Sequence, residues 1–199
     1  FATSARDGDT GRELLRFFDG LRSALLSVGF RRLDAEAILV TVDNARTDAG
    51  MPLRDALVEM DDQAPQLAEI YRVYLDRFPL TVSGPVPGTA AVIDDLLAAG
   101  VPCFGLSNWA KENFNIARRA NPVIDRLADV IVSGEVGLAK PDADIFRYAL
   151  ERFGLEADDT VMIDDTQENL DSASTVGLGT ILFSSAVQLR TDLQARQLL

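Results

Sequence analysis

The sequence contains no histidine and only one cysteine, Cys103, among its 199 residues. Without histidine, the sequence offers no Ser-His-Asp or Cys-His nucleophile and no histidine-ligated metal site. A single cysteine forms neither a disulfide nor a thiolate metal cluster within the chain. Cys103 lies in the apolar run 101–106 without a basic neighbour, so we expect a buried hydrophobic residue rather than a catalytic thiol. This cysteine usage predicts a reducing, cytoplasmic location.

Positive charge is also scarce, with 19 lysine and arginine residues against 31 aspartate and glutamate residues and a net charge of -12. Binding to a nucleic-acid backbone needs clustered cations, so we expect no nucleic-acid partner. No apolar run approaches the ~20 residues of a membrane-spanning helix, and the N-terminus lacks the apolar core of a signal peptide, so we expect no membrane partner. The length suits one sizeable domain, or a core domain with a smaller inserted one.

The two halves of the chain differ in hydrophobic periodicity. Apolar residues recur at helical spacing in residues 14–25 and 67–78, which predicts two amphipathic helices. Residues 33–42 fit a helix better than a strand, although the run 38–42 is rich in β-branched residues. The Gly- and Pro-rich stretch 83–88 predicts a domain boundary or a hinge.

From residue 89 onward, predicted strands alternate with predicted helices. The strands are expected at 101–106, 129–132, from residue 161, and 179–183; the helices are expected at 89–99, 110–120, 142–153, up to 176, and 187–199. This alternation indicates βαβ units and a parallel sheet, so the predicted fold class is α/β.

Two adjacent carboxylates, Asp164 and Asp165, follow the apolar strand that begins at Val161. Ligands of open α/β sheets bind at the carboxyl ends of the strands, and two carboxylates there repel each other unless a cation or a proton relieves them. With oxygen ligands and no soft donor in the motif, Mg²⁺ is favoured over zinc or copper. The alternative is a capping box formed by Asp165 and Glu168, with Asp164 merely ending the strand.

Two further loops follow predicted strands and carry polar side chains. Ser107 and Asn108, with the start of the next helix, form a donor set suited to an oxyanion or phosphate, or else simply cap that helix. Lys140 precedes a helix that Pro141 starts, where a positive charge opposes the helix dipole. Pairing with an anionic ligand or with the carboxylates after Val161 would explain this lysine, and a solvated surface lysine is the alternative. Parallel strands would bring all three loops to one edge of the sheet.

Three segments resemble, in order and spacing, the second, third and fourth motifs of the haloacid dehalogenase superfamily of hydrolases: 106–109, 137–142, and 163–165 with Asn169. Residues 48–52 and 84–89 are similar to the helical cap and its return hinge in the branch related to 2-haloacid dehalogenases. The resemblance implies a Rossmann-like parallel sheet core with a helical cap domain. On that basis we expect the cap region in residues 1–83 and the core in 84–199.

The resemblance also implies an aspartate nucleophile that forms an acyl-phosphate with the help of Mg²⁺. Ser107 and Asn108 would then hydrogen-bond the phosphoryl oxygens, and Lys140 would neutralise developing charge and hold the nucleophile ionised. Asp165 would be a direct metal ligand, and Asp164 would bind the metal directly or through water, while the motif's asparagine supports the loop.

One motif of that family, an apolar strand ending in Asp-x-Asp, has no convincing counterpart. Residues 7–10 have the carboxylate spacing but follow residues that cannot form a buried strand, and Asp43 has Ala45 in place of the second acid. Residues 17–20 carry one carboxylate on an amphipathic helix. We expect the strand upstream of Phe1, or a replacement from the run 38–42 or from a second subunit. In the family this strand lies between those leading to Ser107 and Asp164, so its absence would leave two unpaired edges.

Three functions are compatible with these features. The first is a Mg²⁺-dependent phosphatase acting on a small phosphorylated metabolite, because the adjacent carboxylates call for a cation. The second is a metal-independent 2-haloacid dehalogenase, whose fourth motif usually carries serines instead of paired acids. The third is a catalytically inactive binding module. Substrate choice would lie in the cap, where Arg46, Arg54, Tyr71 and Tyr74 are candidates that the sequence does not rank, and the oligomeric state is not indicated.

Overall fold

A computed structural model of the protein describes residues 44–63, 65–82 and 84–199. The helix predicted at 14–25, the ambiguous segment 33–42 and the carboxylates of all three candidates for the first motif lie outside these residues.

Helical segments occupy the described residues before the Gly- and Pro-rich stretch: α1 (Asn44–Asp48), α2 (Leu53–Gln63), α3 (Pro65–Arg77) and a 3₁₀ turn (Phe78–Thr81). Strands and helices alternate after it: α4 (Thr89–Ala98), β1 (Gly105–Ser107), α5 (Lys111–Ala120), a 3₁₀ turn (Pro122–Arg126), β2 (Val130–Val132), α6 (Ser133–Val136), α7 (Ala143–Phe153), β3 (Val161–Asp164), α8 (Gln167–Thr175), β4 (Gly179–Leu182) and α9 (Ala186–Ala195). The predicted α/β class is therefore confirmed, and the division into a cap and a core at residue 83 stays a prediction.

Several elements differ from the prediction, among them α1 and α2, where the sequence analysis predicted no helix. The first strand begins at Gly105 rather than at residue 101. Pro102 has no backbone N–H to donate, so a regular ladder cannot extend through it, although the Cys103 carbonyl still accepts a bond from the Ala128 N–H at 2.9 Å. The four-residue helix α6 was not predicted, because so short a segment has no helical periodicity.

The described strands form two separate parallel pairs. β1 pairs with β2, with Leu106 opposite Ile131, and β3 pairs with β4, with Ile163 opposite Ile181. Within the described residues, β1 and β3 each have one edge without a strand partner. This agrees with the expectation of two unpaired edges between the strands that lead to Ser107 and Asp164.

A cavity of about 290 Å³ lies between these two edges and is lined by residues of both β1 and β3. Its other walls are apolar side chains of three helices: Val92, Ile93 and Leu96 of α4, Phe146, Ala149, Leu150 and Phe153 of α7, and Leu189 and Leu193 of α9. Asp164 and Asp165 belong to the same lining. Backbone edges on two sides and apolar helices around them are the surroundings of a buried parallel strand.

The helical segment before residue 83 contacts the loop after β1 through apolar side chains. Leu53 and Tyr71 form a buried cluster with Ala110, and Phe78 packs edge-to-face on Trp109 with ring centroids 6.0 Å apart. These contacts hold the helical segment beside the carboxyl end of β1. Across the described ranges, no helix combines the length and the apolar character that crossing a membrane requires.

Candidate active site

The most buried charged contact at the carboxyl ends of the strands joins Lys140 to Asp164. The Lys140 Nζ donates to Asp164 Oδ2 at 2.6 Å, and the two side chains are only 9% and 3% exposed. Asp164 ends β3, and Lys140 precedes α7, whose N-cap is Asp142. The predicted pairing of Lys140 with the carboxylates after Val161 is therefore confirmed, and the surface-lysine alternative is wrong. A buried ion pair persists only where further hydrogen bonds satisfy its atoms.

The second carboxylate oxygen of Asp164 makes the further hydrogen bonds that a buried ion pair needs. Oδ1 accepts hydrogen bonds from the Thr166 N–H at 2.9 Å and from Asn169 Nδ2 at 3.0 Å. Burial raises the pKa of Asp164, but the charge and hydrogen bond of Lys140, with these two donors, lower the pKa below its ordinary value. Asp164 is therefore a carboxylate at neutral pH, with both oxygens bound by N–H donors.

The capping-box alternative does not describe this turn. Thr166 is the N-cap of α8 and makes no side-chain capping bond, and Asp164 receives the Thr166 N–H. Asp165 and Glu168 are both exposed. The two adjacent aspartates thus differ in surroundings, since Asp164 is held by donors and Asp165 faces outward.

Asn108 connects the loop after β1 to Lys140. Its Nδ2 donates to the Lys140 carbonyl at 2.7 Å, and its Oδ1 accepts from the Lys140 N–H at 2.9 Å. The N-cap of α5 is Ala110, and no side chain caps that helix. The alternative in which Asn108 only caps the next helix is therefore wrong, because its amide binds the backbone of another loop.

Ser107 is the last residue of β1 and lies half-buried opposite Val132 of β2. The loop that follows it is tied to the end of β2, because the Trp109 N–H donates to Ser133 Oγ at 2.9 Å. A Cβ on Gly134 would lie 2.7 Å from the Trp109 carbonyl oxygen, so the close approach of these loops requires glycine. The three predicted loops thus meet at one edge of the fold.

The described residues fit one part of a Mg²⁺ site. Within the three described ranges, no group of three or more His, Cys, Asp or Glu side chains could hold a metal ion. Asp165 is the exposed carboxylate at the strand end, whereas the oxygens of Asp164 are bound by N–H donors. Mg²⁺ is commonly held by one or two carboxylates, with water and phosphate oxygens completing the octahedron. Asp165 therefore suits one ligand position, and further oxygens would come from beyond the described residues, water or substrate.

A further acidic residue near these loops lies in the segment 48–52, which the sequence assigned to the cap and not to the site. Asp48, at the end of α1, accepts a hydrogen bond from the Ala110 N–H, and burial raises its pKa to about 6 in spite of that bond. A Cβ on Gly50 would lie 3.2 Å from the Gly137 Cα, so the turn after α1 presses against the loop that carries Lys140. Helical or strand periodicity cannot mark such a residue, because its burial comes from contact between distant loops.

The cap candidates are divided between the surface and the interior. Arg46 pairs with Glu59 at 2.8 Å, and Arg54 pairs with Asp55 at 3.2 Å, with exposed side chains in both pairs. Tyr71 is 2% exposed. The side chain of Tyr74 lies outside the described part of the chain.

Comparison with known proteins gives a family match over most of the chain. The model of the haloacid dehalogenase-like hydrolases matches residues 9–177. Glyceraldehyde 3-phosphate phosphatase from Methanocaldococcus jannaschii is 32% identical over 104 residues, which cover 49% of this chain and 43% of that protein. Phosphoglycolate phosphatase from Rhodospirillum rubrum is 26% identical over 186 residues, which cover 89% of this chain and 76% of that protein. The chain spans about half, or less, of the length of the first curated relatives it matches.

A solved structure has a similar fold. A HAD family enzyme from Bacteroides thetaiotaomicron, an Asp-to-Ala mutant in complex with magnesium and inorganic phosphate, superposes with a TM-score of 0.65. The two proteins are 15% identical, and the match covers 83% of this chain and 85% of the other. At this identity, the likeness concerns the fold alone.

Proposed function

Because the chain belongs to the haloacid dehalogenase-like hydrolases, we propose that it is a Mg²⁺-dependent phosphatase acting on a small phosphorylated metabolite. Relatives named as phosphatases of glyceraldehyde 3-phosphate and phosphoglycolate support this substrate class. The magnesium in the similar Bacteroides enzyme supports the choice of cation. A cytoplasmic location is part of the proposal, since Cys103 alone forms no disulfide within the chain.

The observation that carries the proposal is the buried Lys140–Asp164 pair beside the exposed Asp165. Catalysis of phosphoryl transfer consists mainly of positioning and charge stabilisation. Lys140 supplies a fixed positive charge, but its partner Asp164 offsets part of that charge. A phosphoryl group carries up to two negative charges and therefore needs a further cation, and Asp165 is the carboxylate available to hold one.

Each polar residue of the site would have a separate role in the proposed reaction. The Ser107 hydroxyl, at the end of β1, would donate to a phosphoryl oxygen, and the Lys140 ammonium would offset the charge on the transferring group. Asp165 would hold Mg²⁺, which when bound supplies Lewis-acid polarisation of the phosphoryl oxygens. Asp164 would keep the ammonium in place through its 2.6 Å contact.

The nucleophile of the proposal is an aspartate on a strand between β1 and β3. Its carboxylate would attack phosphorus, the ester P–O bond would break, and the departing alkoxide would take a proton from water. Water would then cleave the aspartyl phosphate, which releases inorganic phosphate and restores the carboxylate. The apolar cavity between the two edges supports this step, because a strand there would end level with Ser107 and Asp164. This aspartate belongs to no described strand.

A catalytically inactive binding module, which the sequence leaves open, is the second candidate. Among the described residues, the strands on either side of the cavity have no strand between them, so a carboxylate at that position is not part of the described site. The adjacent acids Asp164 and Asp165 argue against a 2-haloacid dehalogenase, because that branch usually carries serines at these two positions.

Hydrolysis of an aryl phosphate by the full-length protein tests the proposal. We expect turnover with Mg²⁺, loss of turnover in excess chelator, and loss of turnover in Asp165→Asn. Asp171→Asn, which removes an exposed acid farther along α8, should retain the wild-type rate. Equal rates in chelator would remove Mg²⁺ from the proposal, and chloride release from a 2-chloro acid would favour the dehalogenase. A folded protein of confirmed intact mass with neither activity would favour the binding module.

A further inference from the structure

Asn108 makes two hydrogen bonds to one residue that lies 32 positions away in the chain. Its side-chain carbonyl takes the N–H of Lys140, and its side-chain amide gives a hydrogen to the carbonyl of the same residue. The amide therefore binds both backbone polar groups of Lys140, as a neighbouring strand would. Since Asn108 follows β1 directly, this contact fixes the backbone of Lys140 relative to the parallel pair of β1 and β2.

The side chain of Lys140 is held at its other end by Asp164. The contact from Nζ to Oδ2 is 2.6 Å, and Asn169 and the Thr166 N–H hold Asp164 in turn. A lysine has a flexible four-carbon stem, so the ammonium has a defined position only when both the backbone and the charged end are held. Asn108 holds the backbone of Lys140, and Asp164 holds its ammonium group.

We propose that Asn108 is a positioning residue that acts through Lys140, rather than a ligand of the phosphoryl group. This inference rests on the proposed function for its effect on turnover, whereas the contact itself does not. Removing the amide leaves a half-buried N–H and carbonyl of Lys140 without their partners, so the loop before α7 must shift to find others. A displacement of the ammonium by about 1 Å lowers turnover on the order of 100-fold.

Amide hydrogen exchange tests the contact without any assay of activity. In Asn108→Ala we expect the Lys140 N–H to exchange at least about tenfold faster than in wild type, because its acceptor has gone. Asn121→Ala is the matched control: Asn121 is buried at the far end of α5, and its Nδ2 donates to the Ala117 carbonyl at 3.0 Å. The control should leave Lys140 exchange unchanged. Equal Lys140 exchange in wild type and Asn108→Ala would overturn the proposal.

A double-mutant cycle on aryl phosphate turnover separates positioning from direct contact. We expect Asn108→Ala to lower kcat by ~100-fold with little change in KM, and to add less than about threefold when Lys140 is already alanine. Equal losses in both backgrounds would mean that Asn108 contacts the phosphoryl group directly, and would overturn the proposal. Absence of turnover in the wild type would count against the proposed phosphatase, while hydrogen exchange would still decide the role of Asn108.

Discussion

Replacing Lys140 by alanine should destabilise the protein as well as slow it. The side chain of Asp164 is 3% exposed, so the substitution leaves a buried carboxylate without its cation. Removing one partner of a buried pair costs about 3–5 kcal/mol, and we expect about 3 kcal/mol here, because the Thr166 N–H and Asn169 still bind Oδ1.

The stability lost in Lys140→Ala should depend on pH and should be smaller in acid. In the wild type, the folded pKa of Asp164 lies below its ordinary value of 3.8, so this group adds stability above pH 3.8 and loses it as the pH falls through the folded pKa. Without Lys140, the burial that raises the pKa of Asp164 is less well opposed. The difference in unfolding free energy between wild type and Lys140→Ala should therefore be largest near pH 7 and shrink in acid.

Denaturant unfolding of both proteins at pH 7 and at pH 4 measures this difference. Lys111, the other lysine of the sequence, is exposed at the start of α5, so Lys111→Ala serves as the control and should change stability by less than about 0.5 kcal/mol. An equal unfolding free energy for wild type and Lys140→Ala at pH 7, or an equal difference at both pH values, would refute the reasoning.

Three further predictions concern the residues around this pair. Asp48→Asn should flatten the stability profile between pH 4 and 6: its folded pKa of about 6 lies above the ordinary 3.8, so the wild-type carboxyl favours folding most below pH 3.8 and loses that contribution as pH rises through 6. Thermal unfolding of wild type and Asp48→Asn across this range checks it, and an equal change of Tm with pH in the two proteins would count against the buried carboxyl. Asn169→Ala should cost about 1.5–3 kcal/mol and raise the pKa of Asp164, as followed by carboxyl NMR; an unmoved titration would contradict the contact. Gly134→Ala should lower both stability and turnover, because its Cβ would meet the Lys111 N and the Trp109 carbonyl oxygen at 2.7 Å; wild-type melting and turnover would show that these loops yield easily.

The meeting of the three loops could be predicted because parallel strands deliver their carboxyl ends to one edge. Lys140 was the most informative residue, since a cation at a helix N-terminus is unfavourable unless an anion faces it. The structure supplies that anion in Asp164. Alternating strands and helices likewise predicted the α/β class, although the first strand begins at Gly105 rather than at residue 101.

The separate roles of the polar residues at the site could not be predicted. An asparagine after a strand has several suitable partners, and only the folded arrangement brings the Lys140 backbone to Asn108. Asp164 and Asp165 are neighbours of identical chemistry, yet Asp164 is buried and bonded to Lys140 and Asn169, whereas Asp165 is exposed. Burial raises the pKa of Asp48 in spite of the hydrogen bond from the Ala110 N–H, and that burial leaves no periodic trace in the sequence.

Binding of inorganic phosphate to the full-length protein, followed by phosphorus NMR with and without Mg²⁺, tests most directly whether Lys140, Asp164 and Asp165 form one phosphate-binding centre. The proposed centre predicts saturable binding that requires Mg²⁺, that is lost in Asp165→Asn and weakened in Lys140→Ala, and that persists in Asp171→Asn. Phosphate binding of equal strength in chelator, or binding unchanged by both substitutions, would contradict it.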